Sequence, residues 1–87
     1  MANRLAELDL ALSQCKAEHA AALAAEKADY FDNVLYAGNT VTEWQKLNKI
    51  IRVSYVRRLQ AYAALCTARA ELAAEKLSIS LLPQAGD

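Results

Sequence analysis

The chain has 87 residues, a formal net charge of zero at pH 7 and a hydrophobic content of 55 %. A chain of this length forms one small domain, and zero net charge gives no overall attraction to nucleic acid or acidic lipid. Two cysteines are too few for a disulfide framework, and the low count of glycine and proline is typical of long helices.

The first predicted element is a helix over residues 3–37. Its larger apolar side chains recur at steps near three and four residues, or at multiples of them, which places them on one helix face. Asn3 is expected to cap this helix, because its side chain can accept a hydrogen bond from a free backbone N–H of the first turn. The predicted face consists of Leu5, Leu8, Leu12, Cys15, His19, Leu23, Tyr30 and Val34.

A turn is predicted over residues 38–40, within the stretch AGNTVTEW. Gly38 can adopt the left-handed conformation that closes a helix. Thr40 and Glu43 have the spacing of a capping box, which starts the next helix. A connection this short favours an antiparallel hairpin. The alternative is one long helix with a kink at Gly38.

The second predicted helix covers residues 41–82, and residues 83–87 form a flexible tail. Its apolar stripe is broad, which indicates contact with more than one neighbouring helix. The sequence therefore predicts an all-α fold: an antiparallel two-helix hairpin that assembles as a homodimer into a four-helix bundle. The main stripe consists of Trp44, Leu47, Ile51, Tyr55, Leu59, Tyr62, Leu65, Leu72 and Ile79.

Charge is divided between the two predicted helices. The first has three basic and six acidic residues, whereas the second has seven basic and three acidic residues. The densest basic stretch, KLNKIIRVSYVRR over residues 46–58, holds five cations and no anion. Three interpretations stay open for it: a solvated face that complements the acidic helix, a contact with an acidic protein groove, or a grip on RNA or DNA phosphates.

Cys15 and His19 share a helix face, and folding about residues 38 and 39 places Cys15 opposite about Tyr62, one turn from Cys66. A Cys/His metal site or a disulfide between the cysteines is conceivable, but zinc would need a fourth ligand. Buried cysteine and histidine are more often packed core residues. We expect no metal and no cofactor. We also expect no enzyme activity, because the chain offers no glycine-rich loop or set of oxyanion donors.

Two stretches, YAGNTVTEWQKLNKI and RLQAYAALCTARAELAAE, resemble a helix–turn–helix segment of TolC-type outer-membrane efflux channels. In that family a Tyr-x-x-Gly turn precedes a Thr/Ser-Asp/Glu-Leu segment and an alanine-rich helix. Here the turn is one residue shorter and the strands of such a channel are missing, so we do not assign the chain to this family. In size and shape, it is similar to the helical-hairpin co-chaperones of type III secretion and to a dimeric plasmid RNA-binding hairpin repressor.

The sequence thus predicts a non-enzymatic protein–protein interaction module, such as an adaptor, an assembly chaperone or an inhibitor. Its partner would present a helical or acidic surface, and nucleic-acid binding by the basic helix is the alternative. No secretion signal and no run of about 18 uncharged apolar residues is present, so we expect a cytoplasmic protein without a membrane span. The predicted contact residues are Trp44, Lys49, Ile51, Arg52, Tyr55, Arg57, Arg58, Tyr62 and Leu65.

Overall fold

The computed structural model describes the backbone of residues 3–36 and 40–82 and the side chains of residues 3–31 and 40–82. These residues form two antiparallel helices, α1 (Arg4–Tyr36) and α2 (Val41–Ser80), and no strand occurs in these ranges. The helices contact each other and make a rod of 74 × 17 × 14 Å. The predicted hairpin is confirmed. The alternative of one long kinked helix is wrong, because α2 folds back along α1.

Both helices begin at the predicted caps. The Asn3 side chain accepts a hydrogen bond from the N–H of Ala6 at 3.1 Å. Thr40, in an extended conformation, accepts one from the N–H of Glu43 at 3.2 Å. At the other end, α2 stops at Ser80, two residues before the predicted boundary. Residues 37–39, with the predicted Gly38 turn, and the predicted tail at 83–87 lie outside the described residues.

The contact between the helices follows a seven-residue repeat. From Leu47 to Glu75, the buried or half-buried residues of α2 are spaced alternately by four and three. The same alternation connects buried and half-buried residues of α1 from Leu5 to Asp29. This spacing is that of a coiled coil, and we call the two rows the seam. The seam consists of Leu5, Leu8, Leu12, Cys15, His19, Ala22, Glu26 and Asp29 on α1, and of Leu47, Ile51, Ser54, Arg58, Ala61, Leu65, Ala68, Leu72 and Glu75 on α2.

The seam differs from the predicted apolar stripe of α2. Four members of the stripe, Leu47, Ile51, Leu65 and Leu72, do lie in the seam. The others are exposed, and small or polar residues occupy the remaining seam positions because they fit against α1 or bond to it. The exposed members of the stripe are Trp44, Tyr55, Leu59, Tyr62 and Ile79.

The seam changes character along the rod. In the half far from the turn, the open half (residues 4–22 and 61–80), Leu8, Leu65 and Leu72 are buried. Burying each of these leucines contributes about 1.5–3 kcal/mol. In the turn half (residues 23–36 and 41–60), polar seam residues pair across the helices: Ser54 donates to Asp29, and Arg58 bonds to Glu26.

The register of the hairpin is shifted from the prediction. A turn centred between residues 38 and 39 places Cys15 opposite Tyr62, but the ring that packs against Tyr62 is that of His19. The contact of Asp29 with Ser54 is shifted in the same direction nearer the turn. Tyr36 lies seven residues closer to the turn than Asp29, and Leu47 lies seven residues closer than Ser54. Tyr36 and Leu47 are therefore level with each other. Residues 41–46 therefore lie beyond the level of Tyr36; each of them is exposed, and Leu47 is the first buried residue of α2.

Candidate functional site

An open groove of about 230 Å³ runs between the helices in the turn half. Leu23 and Ile51 are half-buried and form its apolar floor. The rings of Tyr30 and Phe31 stand edge to face at its rim, with centroids 5.5 Å apart. Ile51 belongs to the seam, and Leu23 flanks it on α1 beside the polar seam residue Glu26. Its lining residues are Leu23, Glu26, Lys27, Tyr30, Phe31, Ile51 and Arg58.

An ion pair forms the polar part of the groove. The Arg58 Nε donates to a carboxylate oxygen of Glu26, and about a quarter of each side chain is exposed (26 % and 24 %). The Arg58 guanidinium also lies over the Tyr55 ring, 5.1 Å from its centroid, a cation–π contact. Arg58 is therefore held on two sides, and its charge is largely matched within the hairpin.

One leucine and three tyrosines flank this ion pair on one side of the rod. Leu23 and Tyr30 lie three residues before and four residues after Glu26, so they flank it on α1. Tyr55 and Tyr62 have the same spacing about Arg58 on α2. Since Glu26 and Arg58 are bonded to each other, these four side chains lie on one face of the hairpin.

We call this surface the aromatic face, defined by Leu23, Tyr30, Ile51, Tyr55, Leu59 and Tyr62. Its three tyrosines are each about half exposed, at 50 % for Tyr30, 46 % for Tyr55 and 49 % for Tyr62. The Tyr62 ring also rests against His19, with ring centroids 5.5 Å apart. The face thus combines large apolar area with side chains that contacts within the hairpin already position.

The basic side chains of α2 are spread around the helix. Arg52 and Arg57 line a shallow groove of about 360 Å³ with Val53, Val56 and Gln60. Because Val53 and Val56 lie away from the seam positions, this groove is on the outer side of α2. A third hollow, of about 270 Å³, lies on the side of the rod opposite the aromatic face. It is lined by Asp29, Lys49, Ile50, Val53 and Ser54.

The structure brings together four of the predicted contact residues: Ile51, Tyr55, Arg58 and Tyr62. Trp44 is exposed in the first turn of α2. Leu65 is 3 % exposed in the seam and belongs to the core of the hairpin. Lys49, Arg52 and Arg57 lie elsewhere on α2, as described above.

Sequence reasoning missed the part of this surface that α1 contributes. The sequence predicts that Leu23 and Tyr30 face the second helix, and it gives Glu26 no role at the site. The signal was present in the spacing of Leu23 and Tyr30 about Glu26. This spacing identifies the site only when Glu26 is known to pair with Arg58. That pairing follows from the register of the hairpin, which the sequence alone does not give.

The cysteines and the histidine do not gather into a metal site in this structure. Cys15 is half-buried in the seam, Cys66 is exposed, and both are free thiols, so the disulfide alternative is not found. Within residues 3–36 and 40–82, no three His, Cys, Asp or Glu side chains are grouped so that they could hold a metal ion.

Comparison of the chain with protein-family models, with curated proteins and with solved structures finds no match. In the part of the chain that the structure describes, no helix combines the length and the apolar character needed to cross a membrane.

Proposed function

We propose that this protein is a non-enzymatic protein–protein interaction module that binds through its aromatic face. The proposal rests on three half-exposed tyrosines that lie on one face of the hairpin beside the bonded Glu26–Arg58 pair. Tyrosine and arginine are enriched among the residues that dominate binding energy at interfaces. Clustered exposed apolar area of this kind marks interaction sites. An adaptor, an assembly chaperone or an inhibitor would each use such a face.

The proposed partner in the first instance is a second copy, which completes a four-helix bundle. A two-helix chain of this size buries few large side chains, and small domains gain stability by oligomerisation. Two free thiols fit a reducing, cytoplasmic setting. Among the predicted contacts, Ile51, Tyr55 and Tyr62 supply the apolar area. Arg58 lies among them and supplies a polar contact, and Trp44 extends the area towards the turn. Lys49, Arg52 and Arg57 lie on other sides of α2 and take no part in this interface.

Solution mass by light scattering, measured across concentration and salt, tests the proposal. The chain of 9.5 kDa should have the mass of a dimer, about 19 kDa. The double variant Y55A/Y62A should shift the mass towards the monomer and keep its helicity by circular dichroism. Leu77→Ala, which truncates an exposed apolar residue far from the aromatic face, is the matched control.

A wild-type chain that remains monomeric at all concentrations would contradict the homodimer. A dimer that survives Y55A/Y62A unchanged would show that the aromatic face is not the interface.

One observation favours nucleic-acid binding as a second candidate function. The outer groove of α2 has two exposed arginines, Arg52 and Arg57, and no carboxylate among its lining residues. Phosphate contacts make affinity fall steeply with salt. Binding of an RNA or DNA duplex that weakens with salt and is lost in R52E/R57E would support this candidate. Affinity unaffected by that variant would reject it.

A further inference from the structure

The division of charge between the helices bears on how two copies can meet. Within its bounds, α1 has three basic and six acidic residues, a net charge of −3. Within its bounds, α2 has seven basic and three acidic residues, a net charge of +4. A hairpin that lies face to face with a second copy must set each helix against one helix of that copy. The pairing of unlike or like charges therefore depends on the symmetry of the dimer.

Two arrangements are available for a closed pair of hairpins. If the two-fold axis runs across the rod, α1 lies on the second α1 and α2 on the second α2, with the turns at opposite ends. If the axis runs along the rod, α1 lies on the second copy's α2, with both turns at the same end. The first arrangement faces like charges and the second faces opposite charges. Facing like charges disfavours an arrangement, whereas complementary charge selects register and partner.

We infer that two copies join by their aromatic faces about a two-fold axis parallel to the rod, with both turns at the same end. This inference rests on the proposed homodimer and adds its orientation. Every helix of the resulting bundle has two antiparallel neighbours of opposite charge. The alternative orientation would leave the aromatic faces covered but would set acidic α1 against acidic α1.

The side chains of the aromatic face fit this orientation. His19 is level with Tyr62. Leu23 of one copy is therefore level with residue 58, next to Leu59 of the other, and Tyr30 is level with Ile51. Apolar side chains then meet apolar side chains across the turn half.

In the open half, counting residues from His19 in the same way shows which charged side chains of the two copies lie at the same level. Asp9 lies ten residues from His19, which brings it level with residue 72 of the second copy. Arg69 and Lys76 lie one turn to either side of that level. They follow Tyr62 by one and two heptads, so they share its side of α2. Asp9 of each copy would thus lie between two cations of the other. Lys16 follows Asp9 by one heptad on the same side of α1 and would lie level with residue 65.

The available area is sufficient for a stable pair. The broad side of the rod measures 74 by 17 Å, roughly 1,250 Å². A standard interface buries about 800 Å² on each partner. Two copies therefore need to cover about two-thirds of this side.

Distances between spin labels on two copies test the orientation. In a chain with C15A and C66A, the label is attached through V41C, at the exposed start of α2. Labels on the two copies should lie within about 30 Å, because neighbouring helices of a bundle are about 8–10 Å apart. A second label through S78C, at the open end, should give a similarly short distance.

Turns at opposite ends would separate the two V41C labels by about 45–60 Å, given the rise of about 1.5 Å per residue along α2. A distance in that range would overturn the inferred orientation and leave the homodimer intact. A monomeric mass with no intermolecular distance would overturn the homodimer and the orientation together. Light scattering on the same labelled samples separates these two results.

Charge exchange gives an independent readout. D9K and R69E/K76E should each weaken self-association severalfold, and an equal mixture of the two variants should restore dimers that contain one of each. If α1 instead lay on the second α1, D9K would strengthen self-association, because it removes an acidic repulsion. A stronger D9K dimer, or a mixture that fails to pair, would contradict the inference.

Discussion

The open half and the turn half of the hairpin share one seam but fill it with different chemistry. In the open half, Leu8, Leu65 and Leu72 bury apolar surface, which stabilises without a requirement for direction. In the turn half, the seam holds a charged pair and a hydroxyl–carboxylate bond, which need one partner in one geometry. The open half holds three of the four buried leucines, Leu47 being the fourth, and the polar pairs of the turn half fix the register and leave the aromatic face open.

The polar pairs of the turn half hold α1 and α2 in a single register. A slip of α2 by one heptad would still set leucine and alanine against apolar residues in the open half. The same slip in the turn half would separate Arg58 from Glu26 and leave both charges partly desolvated. Polar seam residues of this kind specify register at a cost in stability.

The largest effect is expected from Leu65→Ala in the open half. Leu65 is buried in the seam, so its truncation removes apolar contacts and leaves a cavity. The free energy of unfolding should fall by about 2–4 kcal/mol, measured by urea denaturation followed by circular dichroism. Leu77→Ala, at an exposed position, is the control and should change stability by at most about 0.5 kcal/mol. Equal losses in the two variants would contradict the seam as assigned.

A smaller and more local effect is expected from Arg58→Met in the turn half. The change keeps most of the side-chain volume but leaves the Glu26 carboxylate without its bonded cation. Stability should fall by about 1–3 kcal/mol. Amide hydrogen exchange should accelerate first in the turn half. The exchanged pair E26R/R58E should recover part of the loss. Uniform acceleration along both helices would show that the two halves do not open separately.

The smallest effect is expected from Arg4→Ala, which removes the ion pair of the open half. Arg4 Nε lies 3.5 Å from the Glu75 carboxylate, but 61 % of the Arg4 side chain is exposed. Exposed ion pairs contribute about 0–1 kcal/mol, so the urea midpoint should scarcely move. If Arg4→Ala lowered the stability as much as Arg58→Met, the location of the Glu26–Arg58 pair in the seam would not explain its larger contribution.

Much of the fold could be predicted because its signals are local. Asn3, Thr40 and Glu43 mark helix starts by side-chain chemistry that acts within one turn. The proximity of a stop signal and a start signal then favours the hairpin. These predictions need no knowledge of which residues of one helix meet which residues of the other.

The seam and the candidate site could not be predicted in the same way, because they depend on register. Ser54 and Arg58 are poor choices for a core when α2 is read alone. They become suitable only opposite Asp29 and Glu26. A stripe chosen by apolar character therefore includes Tyr55 and Tyr62, which flank the seam, and leaves out the polar seam residues Ser54, Arg58 and Glu75.

The seven-residue repeat of the seam has a torsional consequence. A straight α-helix drifts by about 20° per heptad from such a repeat, which amounts to roughly 80° over the four heptads from Leu47 to Glu75. The two helices stay in contact by winding around each other with a left-handed twist. The aromatic face is consequently a helical ribbon. A rigid, flat surface can touch only a short length of it, whereas a partner that winds with the same hand and pitch can follow it from Tyr30 to Tyr62.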